Sequence, residues 1–192
     1  MIETIRQPLP SRYADIDMAT RNSGFTMASD VLTGALLRTL AAAKPGGKFL
    51  EMGTGTGLST SWILDGMDAT ASLVSVDNDA ALLAIAERFL GEDTRLTLVA
   101  DDGGAWLQQN TLRFDYIFAD TWHGKYLMLD EALAMLNAGG LYIIDDMLPQ
   151  PNWPEGHAEK AIKLVEDLDG RSDVVLVKQR WSTGIIVAVK RG

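Results

Sequence analysis

The sequence contains no cysteine. This absence excludes disulfide bonds, thiolate nucleophiles and cysteine-based zinc or iron–sulfur sites. It also excludes any mechanism that passes through a cysteine adduct, such as carbon-5 methylation of pyrimidines. Histidine is scarce as well, with only two residues. Any chemistry must therefore come from other side chains or from these two.

Basic residues are few, with 17 Lys and Arg against 26 Asp and Glu and a formal net charge of −9. Nucleic acids and anionic membranes are bound through clustered Lys and Arg, because their phosphates carry the negative charge. The balance of charge therefore argues against both as partners. It favours a small molecule.

Long hydrophobic runs are also missing, and none approaches the roughly 18 to 20 residues that a membrane span requires. The N-terminus has no basic segment followed by an apolar stretch, so we expect no signal peptide and a cytoplasmic protein. The 192 residues are 47% hydrophobic and 22% charged. This composition predicts one compact domain with a substantial core.

Short apolar runs alternate with helical patterns along most of the chain. Strands are predicted at 48–52, 72–76, 96–100, 116–119 and 141–144. Between them, apolar residues recur at helical spacing, most clearly over 79–90. Strands separated by helices of this length form right-handed βαβ units, so the pattern predicts a doubly wound α/β fold with a parallel sheet.

The two ends of the chain depart from this alternation. Residues 173–178 and 184–189 are β-rich and are joined by a segment too short for a helical crossover, which predicts an antiparallel pair. Before the first strand, 28–43 is an amphipathic helix pattern that ends at a Lys-Pro-Gly-Gly turn signal. We therefore expect an N-terminal arm or cap over 1–25 and a single domain over 26–192.

A glycine-rich loop, Glu51-Met-Gly53-Thr54-Gly55-Thr-Gly57, follows the first predicted strand and opens the next helix. Glycines in such a loop permit a tight turn and a close approach of the backbone to a nucleotide. The spacing is GxGxG rather than GxGxxG, which disfavours a dinucleotide, and no GK[ST] follows.

Acidic residues end the next two strands, with Asp77 after the second and Asp101 and Asp102 after the third. Asp77 is placed to accept both ribose hydroxyls of an adenosine, and the later pair to meet an adenine amino group. Each of these acids could instead be a helix N-cap. The ordered series of glycine loop, acid and acid favours nucleotide binding.

Together these motifs resemble those of class I S-adenosylmethionine-dependent methyltransferases. The stretches Asp120-Thr-Trp122-His123-Gly-Lys125-Tyr and Gly-Gly-Leu-Tyr-Ile-Ile-Asp145-Asp146 are similar to the catechol and caffeoyl-CoA O-methyltransferase group. The resemblance covers roughly residues 25 to 190. It implies a Rossmann-like sheet of seven strands, mostly parallel, with the last strand antiparallel.

The resemblance also implies which residues bind S-adenosylmethionine. Its methionine part would lie along the glycine loop, its ribose on Asp77, and its adenine beside Asp101 or Asp102 and Trp122. Trp122 has an alternative as a packed aromatic side chain. The implied cofactor-binding set is Glu51, Gly53, Thr54, Gly55, Gly57, Asp77, Asp101, Asp102 and Trp122.

In the resembled group, a metal ion chelates two neighbouring hydroxyls of the acceptor and lowers the pKa of the one that is methylated. Asp120, Asp145 and Asp146 correspond to its ligands, although the group usually has Asn at the last position. Mg2+ or Ca2+ suits oxygen ligands of this kind. The alternative is that these acids are caps and loop residues that bind no ion.

The base is the remaining part of the predicted site. His123 stands where the catechol enzymes have a lysine, and imidazole is a competent base near neutral pH. Lys125, two positions later, is the alternative. The predicted function is therefore O-methylation of a small hydroxylated, catechol-like acceptor, with N-methylation of a small amine or a non-catalytic cofactor-binding module as alternatives. A homodimer is compatible with the resemblance.

Overall fold

The computed structural model describes residues 7–192, in which seven strands form one sheet. The strands are β1 (Lys48–Met52), β2 (Ser72–Asp77), β3 (Leu96–Ala100), β4 (Phe114–Ala119), β5 (Leu136–Ile144), β6 (Val174–Gln179) and β7 (Ile185–Lys190). The helices are α1 (Tyr13–Ser23), α2 (Val31–Ala42), α3 (Leu58–Gly66), α4 (Ala80–Leu90), α5 (Gly103–Gln109), α6 (Leu129–Ala134) and α7 (His157–Asp169).

The strand order is β3-β2-β1-β4-β5-β7-β6. Strands β1 to β5 are parallel, and β7 runs antiparallel to both of its neighbours, β5 and β6. The predicted fold is thereby confirmed, including the reversed last strand. Since the chain order reverses between β1 and β4, the carboxyl ends of these strands border the crevice in which such folds bind ligands.

The central strands are apolar along their length because helices cover both faces of the sheet. One layer packs α5, α6 and α7 on the sheet around Ile117 and Tyr142. The opposite layer packs α1, α2 and α3 around Phe49 and Phe118. All four of these side chains are fully buried. Burial on both faces fixes the strands and therefore the positions of the residues at their carboxyl ends.

Helix α1 lies inside the segment that the sequence predicts as an arm or cap. Ile16 is fully buried and Tyr13 nearly so, with the Tyr13 ring edge-on to Trp62 of α3 at 5.8 Å between centroids. The Thr20 hydroxyl is 2.7 Å from the hydroxyl of Thr56 in the glycine loop. The helix is therefore part of the structure that holds the loop, while residues 1–6 of the predicted arm lie outside the described residues.

Among residues 7–192, no helix is both long enough and apolar enough to cross a bilayer.

Candidate active site

A cavity of about 560 Å³ opens at the carboxyl ends of β1, β2, β4 and β5. Its walls are the glycine loop after β1, the segment 25–29 before α2, and residues 150–157 before α7. The topology thus brings residues from both the predicted cofactor set and the predicted acceptor set to one cavity.

The glycine loop is built from three residues with positive φ, Gly53 at +104°, Gly55 at +52° and Gly57 at +92°. A Cβ at Gly53 would lie 3.1 Å from the carbonyl oxygen of Asp120, so the loop can pass over β4 only without a side chain there. Gly53, Thr54 and Gly55 line the cavity as predicted.

Gly57 differs from the prediction because it does not line the cavity. It is the N-terminal cap of α3, and a Cβ there would come within 3.0 Å of the Cβ of Ala86 in α4. Its role in the structure is the close packing of α3 against α4 beneath the loop.

Glu51 is fully buried under the loop and does not line the cavity either, contrary to the prediction. Its carboxylate accepts hydrogen bonds from Ser59 at 2.6 Å, Thr60 at 2.5 Å and Ser75 at 2.6 Å. Thr54, 2.6 Å from Ser75, extends this network to the cavity wall. Burial raises the pKa of Glu51 to about 7, although the three hydroxyl donors oppose the rise. Glu51 therefore supports the loop from below.

Asp77, predicted to bind the ribose, lies at the end of β2 and lines the cavity. Its two carboxylate oxygens accept hydrogen bonds from the backbone N–H groups of Gly55, at 2.7 Å, and Asp79, at 2.9 Å. These bonds fix the carboxylate beside the loop and leave it further lone pairs for a ligand.

Asp101 and Asp102 do not line the cavity. The Asp102 side chain caps α5 by accepting from the N–H of Ala105 at 2.9 Å, and Asp101 accepts from the N–H of Asp102 at 2.8 Å. The capping alternative therefore describes how this structure uses Asp102.

Trp122 lines the cavity, but His123 points away from it. The His123 ring packs against Gly103 and Gly104, with its Nδ1 3.9 Å from a carboxylate oxygen of Asp102. A base must reach the acceptor directly or through one water. Of the two predicted candidates, only Lys125 lines the cavity.

Lys125 is 3% exposed and lines the same cavity as Asp120, Asp145 and Asp146. Its Nζ is 3.5 Å from the carbonyl oxygen of Asp146. The turn that carries it is held by the N–H groups of Tyr126 and Leu127, which both donate to the carbonyl of Trp122 at 2.9 Å.

Each of the three carboxylates also has a partner of its own. Asp120 accepts from the Ser29 hydroxyl at 3.1 Å, Asp145 from the Thr183 hydroxyl, and Asp146 from the indole N–H of Trp153 at 2.7 Å. Burial raises the pKa of Asp120 well above its ordinary value and that of Asp145 to about 6, while Lys125 opposes both rises. Burial lowers the pKa of Lys125, against the attraction of the three carboxylates.

The donor set of this cluster does not fit a divalent metal. Within residues 7–192, no group of three or more His, Asp or Glu side chains is arranged to hold a metal ion. The buried ammonium of Lys125 lies at the same cavity and would repel a divalent cation bound beside it. The predicted metal site at Asp120, Asp145 and Asp146 is therefore not formed by these side chains.

Comparisons with known proteins agree with this architecture. A family model described as a methyltransferase domain matches residues 50–147, just over half of the chain. The chain belongs to this methyltransferase family. No curated protein matches the sequence.

Solved structures share the fold of this methyltransferase over almost its whole length. The O-methyltransferase TomG of Streptomyces achromogenes, involved in tomaymycin synthesis and solved with S-adenosylmethionine, is 20% identical with a TM-score of 0.82, covering 98% of this chain and 93% of that chain. An O-methyltransferase of Bacillus cereus, solved with S-adenosylhomocysteine, is 18% identical with a TM-score of 0.83, at 97% and 94% coverage. A candidate caffeoyl-CoA O-methyltransferase of Staphylococcus aureus is 15% identical with a TM-score of 0.80, at 94% and 92% coverage.

Sequence reasoning missed an aromatic wall of this methyltransferase's cavity. His157 stacks on Trp153 at 4.3 Å between ring centroids, and its Nε2 is 2.8 Å from the hydroxyl of Tyr126. Burial lowers the pKa of His157, which favours the neutral ring. The Pro-rich segment 148–157 was the available signal, but no sequence pattern links it to Tyr126.

The segment between α1 and α2 was also missed as a cavity wall. The Phe25 ring lies so close to Gly55 that a Cβ there would approach it to 3.1 Å, and Ser29 binds Asp120. Both residues line the cavity of the methyltransferase. Their positions follow from the packing of α1, which carries no recognisable motif.

Proposed function

We propose that this methyltransferase transfers the methyl group of S-adenosylmethionine to a hydroxyl oxygen of a small acceptor. The observation that carries the proposal is a single cavity with two chemically distinct ends. One end has the glycine loop with Asp77, and the other has the buried Lys125 with its carboxylates and an aromatic wall. A charged sulfonium donor and a neutral acceptor need such separate surroundings.

The cofactor end suits an adenosyl sulfonium compound. Gly53 and Gly55 leave room for the methionine part against bare backbone, and Asp77 accepts from the ribose hydroxyls. The S. achromogenes and B. cereus structures, solved with S-adenosylmethionine and S-adenosylhomocysteine, support the same cofactor for this chain.

The acceptor end suits a hydroxyl group beside Lys125. The acceptor oxygen attacks the methyl carbon, the carbon–sulfur bond breaks, and its electron pair stays on sulfur to give S-adenosylhomocysteine. The hydroxyl proton passes to a carboxylate of the cluster. All three carboxylates line the cavity, and we assign the role to Asp145 because burial raises its pKa to about 6, close to neutral pH. Lys125 then stabilises the negative charge that develops on the acceptor oxygen.

Trp153 and Trp122 line the cavity, which favours a planar, aromatic acceptor over an extended aliphatic one. A catechol-like compound satisfies both demands, since it has a flat ring and an acidic hydroxyl. The divalent metal is not part of this proposal, because the residues at its expected place do not fit one.

Calorimetry with S-adenosylmethionine, followed by a methyl-transfer screen of catechols, phenols and amines, tests the proposal. Asp77→Asn removes the charged acceptor of the ribose and should weaken cofactor binding by about 10- to 100-fold, from the loss of hydrogen bonds to a charged group. Asp167→Asn, an exposed acid on α7, is the matched control. Tight binding by the Asp77 variant, or transfer to amines alone, would contradict the proposal.

A further inference from the structure

The carboxylates at the acceptor end need a positive charge, and the chain provides it itself. Asp120, Asp145 and Asp146 meet where β4 and β5 end, where Asp145 is buried and the other two are half-buried. Carboxylates this close together repel one another unless a cation or a proton compensates. A divalent ion and a protein ammonium are two different solutions to the same electrostatic problem.

Lys125 cannot move its charge to solvent. Its side chain is 3% exposed, and the turn that carries it is tied to the core, where the hydroxyl of the buried Tyr142 donates to the carbonyl of Gly124. Gly124 has a φ of +80°, and a Cβ there would lie 3.1 Å from the Tyr142 oxygen. The turn therefore directs Lys125 into the cluster and leaves it no extended path outward.

The three carboxylates are oriented by the protein rather than left free for an ion. Ser29, Thr183 and Trp153 each donate to one of them, and these donors come from three different segments of the chain. Asp146 has a left-handed backbone with a φ of +60°, and its own N–H donates to the Asp145 carboxylate at 2.7 Å. The carboxylates thus have donors of their own, and the buried Lys125 ammonium lies beside them, 3.5 Å from the carbonyl oxygen of Asp146.

We infer that the Lys125 ammonium takes the place that a divalent cation occupies in the resembled O-methyltransferases, so that this site works without a metal. The inference rests on the proposed methyl transfer for its catalytic meaning. Its structural half, the choice of ammonium over metal, can be measured without any acceptor.

Thermal unfolding of the full chain with and without Mg2+, Ca2+ or Mn2+ tests that half. We expect the midpoint of the wild-type protein to stay unchanged by these ions. Lys125→Met keeps the length of the side chain but removes its charge, so the carboxylates should then take a divalent ion and the midpoint should rise by about 5 °C or more. Lys125→Arg keeps the charge and should stay insensitive. Lys163→Met, an exposed lysine on α7, is the control.

A rise in the wild-type midpoint that Asp145→Asn abolishes would overturn the inference. So would a folded Lys125→Met protein that ignores all three ions. If Lys125→Met does not fold, the wild-type and Lys125→Arg measurements decide in its place. For an acceptor found in the screen, transfer by the wild-type protein should be unchanged in EDTA, and a loss of tenfold or more would also overturn the inference. Failure to find an acceptor would affect the proposed function and leave the unfolding result intact.

Discussion

The buried Glu51 predicts an unusual dependence of stability on pH. Its pKa rises from an ordinary 4.5 to about 7 in the folded protein. The folded state therefore binds a proton over a range where the unfolded chain has lost it, and the stability gained from that proton falls as pH rises from 4.5 through 7. Between about pH 5 and pH 8, this shift amounts to a loss of about 2 to 3 kcal/mol.

Glu51→Gln removes this titration and keeps the shape of the side chain. The free energy of unfolding of both proteins, measured by urea denaturation at several pH values, should show the wild-type protein gaining about 2 to 3 kcal/mol on the variant as pH falls from 8 to 5. Asp120 and Asp145 titrate in both proteins, so their contributions cancel in the comparison. Parallel pH profiles would refute the reasoning. If the variant does not fold, the wild-type protein decides: the NMR chemical shift of the Glu51 carboxyl carbon should change with pH with a midpoint near 7.

Two further predictions concern the loop and the acceptor wall. Gly57→Ala should lower the free energy of unfolding, measured by urea denaturation, by about 2 to 3 kcal/mol, because the new Cβ sits on a left-handed backbone only 3.0 Å from Ala86. Gly156→Ala, at a similar φ but in open space, should lower it by about 1 kcal/mol. Equal losses in the two variants would contradict this prediction. Trp153→Phe keeps a ring against His157 but removes the hydrogen-bond donor to Asp146. Steady-state kinetics should therefore show a raised KM for the acceptor, while calorimetry should show unchanged binding of S-adenosylmethionine. A change in cofactor binding alone would contradict the placement of Trp153 at the acceptor end.

The cofactor half of the site was predictable because its residues are local in sequence. A glycine loop after β1 and an acid after β2 meet in any doubly wound sheet, since parallel strands place their carboxyl ends side by side. The pattern did not separate residues that line the cavity from those that support it. Glu51 and Gly57 belong to the same motif as Gly53, yet they face the core beneath the loop.

The acceptor half depended on contacts between distant segments. Spacing alone leaves both His123 and Lys125 as candidates for the base. The turn from Trp122 to Leu127 then places Lys125 at the cavity and His123 away from it. The partners of the carboxylates, Ser29, Thr183 and Trp153, come from parts of the chain without a motif.

The sequence by itself determined the fold and the nucleotide end of the cavity, because hydrophobic periodicity and glycine spacing are properties of short segments. That the three acids at neighbouring strand ends share a cavity with the buried Lys125 depends on the tertiary structure. Electrostatic compensation depends on which charges the folded chain buries together, and Lys125 is separated from Asp145 by 20 residues and the whole of α6 and β5.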